Sequence, residues 1–166
     1  MIARYLGMGL LVCASWLGAQ AQQKLADLVD EAKADWMLGK WEAQTDNGGT
    51  VTLAFSWDLD KHVIVLHVKT PDMELKGYSA LDPSAANEVK YFGFDNRGAI
   101  SKGNWAPEGS DLVLRIETQT SERTVKMAAV FGGSATEGLQ IRIHSIESSG
   151  SLSATPRMAL KFKKQK

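Results

Sequence analysis

The sequence predicts an all-β fold, an antiparallel up-and-down β-barrel of about ten strands entered through an N-terminal amphipathic helix. Three observations predict it. From Lys40 onward apolar residues recur with period two, the signature of strands with one buried face. A turn signal interrupts that alternation roughly every 8–14 residues. No helical pattern separates the strands, which argues against parallel βαβ units.

The helix comes first. Over residues 22–38, Leu25, Leu28, Val29, Ala32 and Trp36 fall on one stripe, while Asp27, Asp30, Glu31, Lys33 and Asp35 occupy the other faces. Gly39 stands where a helix would stop. The stripe needs an apolar partner, and one mouth of the barrel supplies it.

The strands follow in order. Trp41, Ala43 and Thr45 open the first, which Asp46-Asn47-Gly48-Gly49 ends; Asn-Gly accepts the positive φ a tight hairpin demands. Val51, Leu53, Phe55 and Trp57 alternate with polar residues in the second, and Asp58-Leu59-Asp60-Lys61 turns the chain. His62 to Thr70 and Met73 to Leu81 flank Pro71-Asp72, and Asp82 to Asn87 forms a longer loop. Glu88 to Phe94 and Ala99 to Trp105 flank Asp95-Asn96-Arg97-Gly98, and Pro107 to Ser110 closes that pair. Three alternating runs follow, on Leu112, Leu114 and Ile116, on Val125 to Phe131, and on Leu139, Ile141 and Ile143. Gly132-Gly133-Ser134 is expected to break the chain after the eighth strand, and Ser148-Ser149-Gly150-Ser151 is expected to be its most flexible loop. Met158, Leu160 and Phe162 make the last strand. Closing such a meander removes its exposed edges. The domain plan is therefore 22–38 for the helix and 39–166 for the barrel.

The residues before the helix read as a targeting segment. One positive charge at Arg4, an apolar run from Tyr5 to Gly18 and the small-residue site Ala19-Gln20-Ala21 stand in the order of a secretory signal peptide, 1–21, cleaved after Ala21. The run is too short to span a bilayer comfortably. The expected location is periplasmic or secreted, with no stable membrane insertion after signal cleavage. Cys13, the single cysteine, leaves with that segment, so the remaining chain has no disulfide, thiolate metal site or cysteine nucleophile. The 19 Lys+Arg balance the 19 Asp+Glu, and no basic stripe tracks a phosphate backbone, which argues against nucleic acid. Lys161, Lys163, Lys164 and Lys166 form a basic tail, read as a solvated end.

Chemistry-bearing motifs are sparse. The chain lacks a nucleophile elbow, an H-E-x-x-H pair and a P-loop. His62 and His67 point to opposite faces if they share a strand. Asp58 and Asp60 flank a turn without the further ligands of a calcium loop. The aromatics carry more. Trp57, Tyr78, Tyr91 and Trp105 are the candidate ligand-binding residues, an apolar lining with tyrosine hydroxyls as polar anchors, although each also suits a plain core. Phe92 and Phe94 lie opposite Tyr91 and are expected to pack under the helix stripe if their face looks outward.

Leu38-Gly39-Lys40-Trp41-Glu42 resembles the G-x-W opening of the calycin group, which includes the lipocalins and fatty-acid-binding proteins. The resemblance implies that Trp41 is a structural plug at the barrel floor, crossed by a basic side chain from the end of the last strand, Lys161 or Lys163. Gly77-Tyr78-Ser79-Ala80-Leu81-Asp82-Pro83 with Lys90-Tyr91-Phe92-Gly93-Phe94-Asp95-Asn96-Arg97-Gly98 resembles the signature of a bacterial family of small lipocalin-like domains, the DUF1579 type. That likeness extends over most of residues 36–164. It implies a ten-stranded barrel and exported members, and it transfers no catalytic residue. Nitrobindin-like barrels are similar in size and hold heme through a histidine near the C-terminal end. His144 sits in a comparable region but on the predicted outer face, and the later glycines of their opening motif are absent. No metal or cofactor is expected.

The reading that unites these features is an exported, non-enzymatic, lipocalin-like barrel binding a small apolar or amphipathic ligand. The alternatives are an envelope protein-interaction module with a filled barrel, its protein partner unknown, and an enzyme of unrecognised type. A binder requires a cavity of roughly 300 Å³ or more, and an interaction module requires an exposed apolar patch.

Overall fold

The computed structural model describes residues 23–85 and 88–165. The proposed signal segment, Cys13 and Lys166 lie outside the described residues, as do two residues of the loop before the fifth strand.

Ten antiparallel strands close into a barrel in strict up-and-down order, the last pairing with the first. They are β1 Gly39–Gln44, β2 Thr50–Asp58, β3 Val63–Lys69, β4 Glu74–Leu81, β5 Val89–Asp95, β6 Ile100–Glu108, β7 Asp111–Gln119, β8 Thr124–Ser134, β9 Gly138–Ser145 and β10 Met158–Lys164. Closure is made by Trp41 opposite Lys164 and Glu42 opposite Lys163. All ten expected strands are present. The expected break at Gly132-Gly133-Ser134 is not, because β8 continues through it to Ser134. Gly133 adopts φ +117°, which keeps it paired with Leu139, a conformation glycine takes without a Cβ penalty.

One interior core draws on nine of the ten strands, β4 being the exception. Trp41, Leu53, Phe55, Leu66, Tyr91, Leu114, Phe131, Leu139 and Phe162 are buried in it, each on the inward parity of its strand. A second cluster lies on the outside. Val113, Ala128 and Val130 are buried on the outer face of β7 and β8, where Ile146 and Leu152 from the β9–β10 connection pack against them. That connection is pinned by an Ile146–Leu152 bridge and by backbone bonds from Ser153 to Ser145 and Arg157 to Ile143. The stretch expected to be loosest thus sits on an anchored strap.

The N-terminal helix is shorter than its apolar stripe predicts. α1 spans Leu25–Glu31, and a separate 3-10 turn spans Asp35–Met37. The break is a Schellman cap. Lys33 takes φ +53°, its N–H donates to the Asp30 carbonyl at 3.1 Å, and Ala34 N–H donates to the Val29 carbonyl at 2.9 Å. These bonds satisfy carbonyls a helix end would otherwise leave open. Ala34, redirected by the cap, is buried with Val29 packed against the same core. The cap turns the chain so that Met37 and Trp41 can enter the barrel.

Candidate ligand cavity beneath the N-terminal helix

Strands β1, β3, β5, β7 and β9 start at one end of the barrel, and α1 lies over that end. Between them is a cavity of about 420 Å³. Leu25, Leu28, Val29 and Ala32 from the helix stripe form its roof, and Phe55, Ile64, Val89, Trp105 and Leu112 form its barrel wall. Four residues of the stripe thus face the barrel wall across a space within the size range of small-molecule sites.

The wall is apolar except at two places. Glu31, at the end of α1, is exposed at the rim. Ser79 is 3% exposed. Trp105 reaches diagonally across β5 and donates its indole N–H to Ser79 Oγ at 2.9 Å, which satisfies a buried donor. Its ring is also 4.9 Å, centroid to centroid, from Phe131, which meets Phe55 edge-on at 6.0 Å. These contacts fix the ring plane that bounds the cavity.

The roof is tethered from both sides. Lys24, the residue before α1, donates to Asp60 Oδ2 at 2.7 Å in the β2–β3 turn. Leu59, Asp60 and Lys61 all have positive φ, between 44° and 64°, and Asp58 Oδ1 accepts from Leu59 N–H at 2.7 Å. Asp58 and Asp60 therefore serve the turn and the helix. The Lys24 ammonium beside Asp60 holds its carboxyl below the usual carboxylate range. On the other side, Trp41 is 1% exposed and donates to the Met37 carbonyl at 2.7 Å. Trp36 packs edge-on against the Trp41 ring. Lys164 Nζ lies 5.1 Å from the Trp41 ring centroid and donates to the Trp36 carbonyl at 3.0 Å.

The basic side chain over Trp41 is thus Lys164, and neither Lys161 nor Lys163. The last two share outward parity, whereas Lys164 continues the inward series through Phe162. Trp41 stands at the same end as the cavity and beside it.

The four aromatic candidates separate. Trp105 lines the cavity. Trp57 is half-buried on inward parity opposite Ile64 but is not part of the cavity wall. Tyr91 is 3% exposed and lies flat against the inner wall, where Gly77 and Gly93 stand opposite each other. A Cβ on either glycine would collide with its ring, so Tyr91 fills the space two absent side chains leave. Burial pushes its phenol up to about 12. Tyr78 is on the outer face, 42% exposed, because its neighbours Gly77 and Ser79 take the inward parity. Phe92 and Phe94 are each 46% exposed and pack edge-on against one another. They do not lie under the helix, whose stripe is spent on the barrel mouth.

Ser79 was not legible as a site residue. The signal was a small polar residue two positions from a glycine on the same parity, facing a tryptophan two strands away. His67 and His144 lie on the outward parity of their strands, and His62 falls in the turn before β3. His67 Nε2 is 2.7 Å from Glu74, and His144 Nδ1 is 2.8 Å from the Ser153 carbonyl. Among the described residues no three His, Cys, Asp or Glu side chains are grouped to hold a metal ion.

No family model matches the chain, and no curated protein matches it.

Proposed function

We propose that this chain is an exported, lipocalin-like barrel that binds a small apolar or amphipathic ligand beneath its N-terminal helix, without catalysis. The carrying observation is the cavity of about 420 Å³. Apolar voids of this size are the usual form of a small-molecule site, and the tethered helix gives this one a roof. Export rests on the signal-like order of residues 1–21. The likeness of residues 77–98 to the DUF1579-type motif suits the same reading.

The test is native mass spectrometry of the protein released gently from the envelope fraction of its own host. A reproducible extra mass, lost on denaturation, supports the reading, as does an N-terminus at Gln22. A bare mass together with no uptake of any apolar probe refutes it.

A second reading is favoured by a different observation. Among the described residues, Ile146 and Leu152 pack over the outer cluster of Val113, Ala128 and Val130, whereas a group of outward aromatic and aliphatic side chains is exposed. Tyr78 stands opposite Phe92, and Phe94 opposite Ile100, all exposed on adjacent strands. Lys76, Lys90 and Lys102 surround them. This face suits a protein partner with acidic side chains around an apolar centre. Cross-linking in the envelope fraction, repeated with Phe92→Ser/Phe94→Ser, tests it. A cross-link that survives the double substitution counts against it.

A further inference from the structure

We propose that the cavity selects an uncharged, largely apolar molecule bearing one hydrogen-bond acceptor, such as a carbonyl, ester or ether oxygen, which receives the Ser79 hydroxyl proton. The proposal rests on the binding reading above and names the ligand class for that site.

A serine hydroxyl has one proton to give and two lone pairs to offer. At Ser79 one lone pair is taken by the Trp105 indole N–H at 2.9 Å. Among the described residues the hydroxyl proton has no acceptor, although Ser79 is 3% exposed and lines the cavity. The Trp105 bond satisfies Oγ as an acceptor and leaves its proton free to donate. Here the unused half is the donor, so the complementary ligand atom is an acceptor. The Trp105 bond fixes where Oγ sits, because the indole is itself wedged against Phe131.

Charge narrows the class further. No Lys, Arg or His lines the cavity, and Glu31 at the exposed rim is its one charged residue among those described. A carboxylate ligand would be buried without a partner and would face Glu31, both unfavourable. An ammonium head would find only an exposed carboxylate, where pairing is weak. The remaining wall rewards apolar area alone. A neutral skeleton with a single acceptor uses every feature present.

Protein produced from the full-length chain is titrated by calorimetry with four naphthalene probes of matched size: 2-isopropylnaphthalene, 2-acetylnaphthalene, 2-naphthoate and 2-(aminomethyl)naphthalene. The ketone is expected to bind roughly 3- to 10-fold tighter than the hydrocarbon, the range of one net hydrogen bond, and both tighter than either ion. Ser79→Ala is expected to erase the ketone's advantage over the hydrocarbon, so that the ratio of the two affinities falls to about one. In the unmodified protein the bound ketone's carbonyl stretch is expected below its position in hexane, a readout that needs no variant. Equal binding of ketone and hydrocarbon, an unshifted carbonyl band, or tightest binding of the carboxylate or the amine overturns the proposal and leaves the cavity as a binding site. Failure of all four probes overturns the binding reading with it.

Discussion

Lys164 Nζ stands 5.1 Å from the centroid of the Trp41 ring, joining the last inward position of β10 to the first tryptophan of β1. The same ammonium accepts no competition from a carboxylate among the described residues and donates instead to the Trp36 carbonyl. One side chain thus reaches across the paired β1–β10 seam and ties it to the 3-10 turn. Cation–π contacts at exposed sites contribute about 0.5–1 kcal/mol. Lys164→Met is therefore expected to lower the urea midpoint by the equivalent of about 1 kcal/mol with an unchanged m value. Lys161→Met and Lys163→Met, on the outward parity, are expected to change little. Trp41→Ala is expected to cost about 3–5 kcal/mol. Equal effects at all three lysines would show that the Trp41 contact contributes nothing.

Tyr91 sets an alkaline limit. Its phenol is raised from 10.0 to about 12 by burial, so the fold favours the neutral form. The sign follows: this contribution is complete below pH 10 and is lost as pH rises from about 10 to 12, because the unfolded chain releases its proton first. Unfolding midpoints measured across that window are expected to fall more steeply in the wild type than in Tyr91→Phe. The phenylalanine keeps the ring over Gly77 and Gly93 but has no proton to lose. Parallel curves for the two proteins would contradict the assignment.

Filling the cavity separates binding from folding. Val89 points inward at the wall and pairs with Trp105. Enlarging a side chain in a packed core costs about 1–3 kcal/mol, but Val89→Trp grows into empty space. The expected outcome is loss of apolar-probe binding with stability changed by less than about 1 kcal/mol. Probe binding retained at full affinity would place the ligand elsewhere, with the outer aromatic face the next surface to examine.

The strand order was legible because each turn carries its own chemistry and each strand its own alternation. At Asp95-Asn96-Arg97-Gly98, for instance, Asp95 Oδ1 accepts from the backbone of Arg97 and Ala99 at 2.9 Å, and Gly98 supplies a φ of +85°. The site was less legible because parity yields two sets of side chains without saying which set faces in. On β5 both sets are aromatic, Tyr91 against Phe92 and Phe94. The glycines decide it: Gly77 and Gly93 share the parity of Tyr91 and make room for its ring. The same parity sends Tyr78 outward and Ser79 inward. On β10 the alternation simply had to be carried two residues beyond Phe162 to reach Lys164. The cap at Lys33 was hidden because lysine is an ordinary helix residue, with no glycine or asparagine to mark a left-handed position.

The Lys24–Asp60 pair is expected to govern entry to the cavity. It links the start of α1 to the β2–β3 turn at 2.7 Å, across the rim of the space the helix roofs. Both side chains are solvent-accessible, so the pair adds little to global stability; its effect should appear in local opening of the roof. The Asp60 carboxyl is held below its ordinary 3.8, first by the hydrogen bond from Lys24 and then by its charge. A lowered folded value means that the tether is present above pH 3.8 and is lost as pH falls through that lower value. Apolar-probe release, followed by stopped flow, is expected to be flat from neutral pH down to about 4 and to accelerate in stronger acid. Asp60→Asn is expected to release faster already at neutral pH, with equilibrium unfolding nearly unchanged. High salt is expected to move the wild type part of the way toward the variant, as for any exposed ion pair. If release from Asp60→Asn is as slow as from the wild type, the helix is held by its apolar stripe alone and the tether has no part in gating.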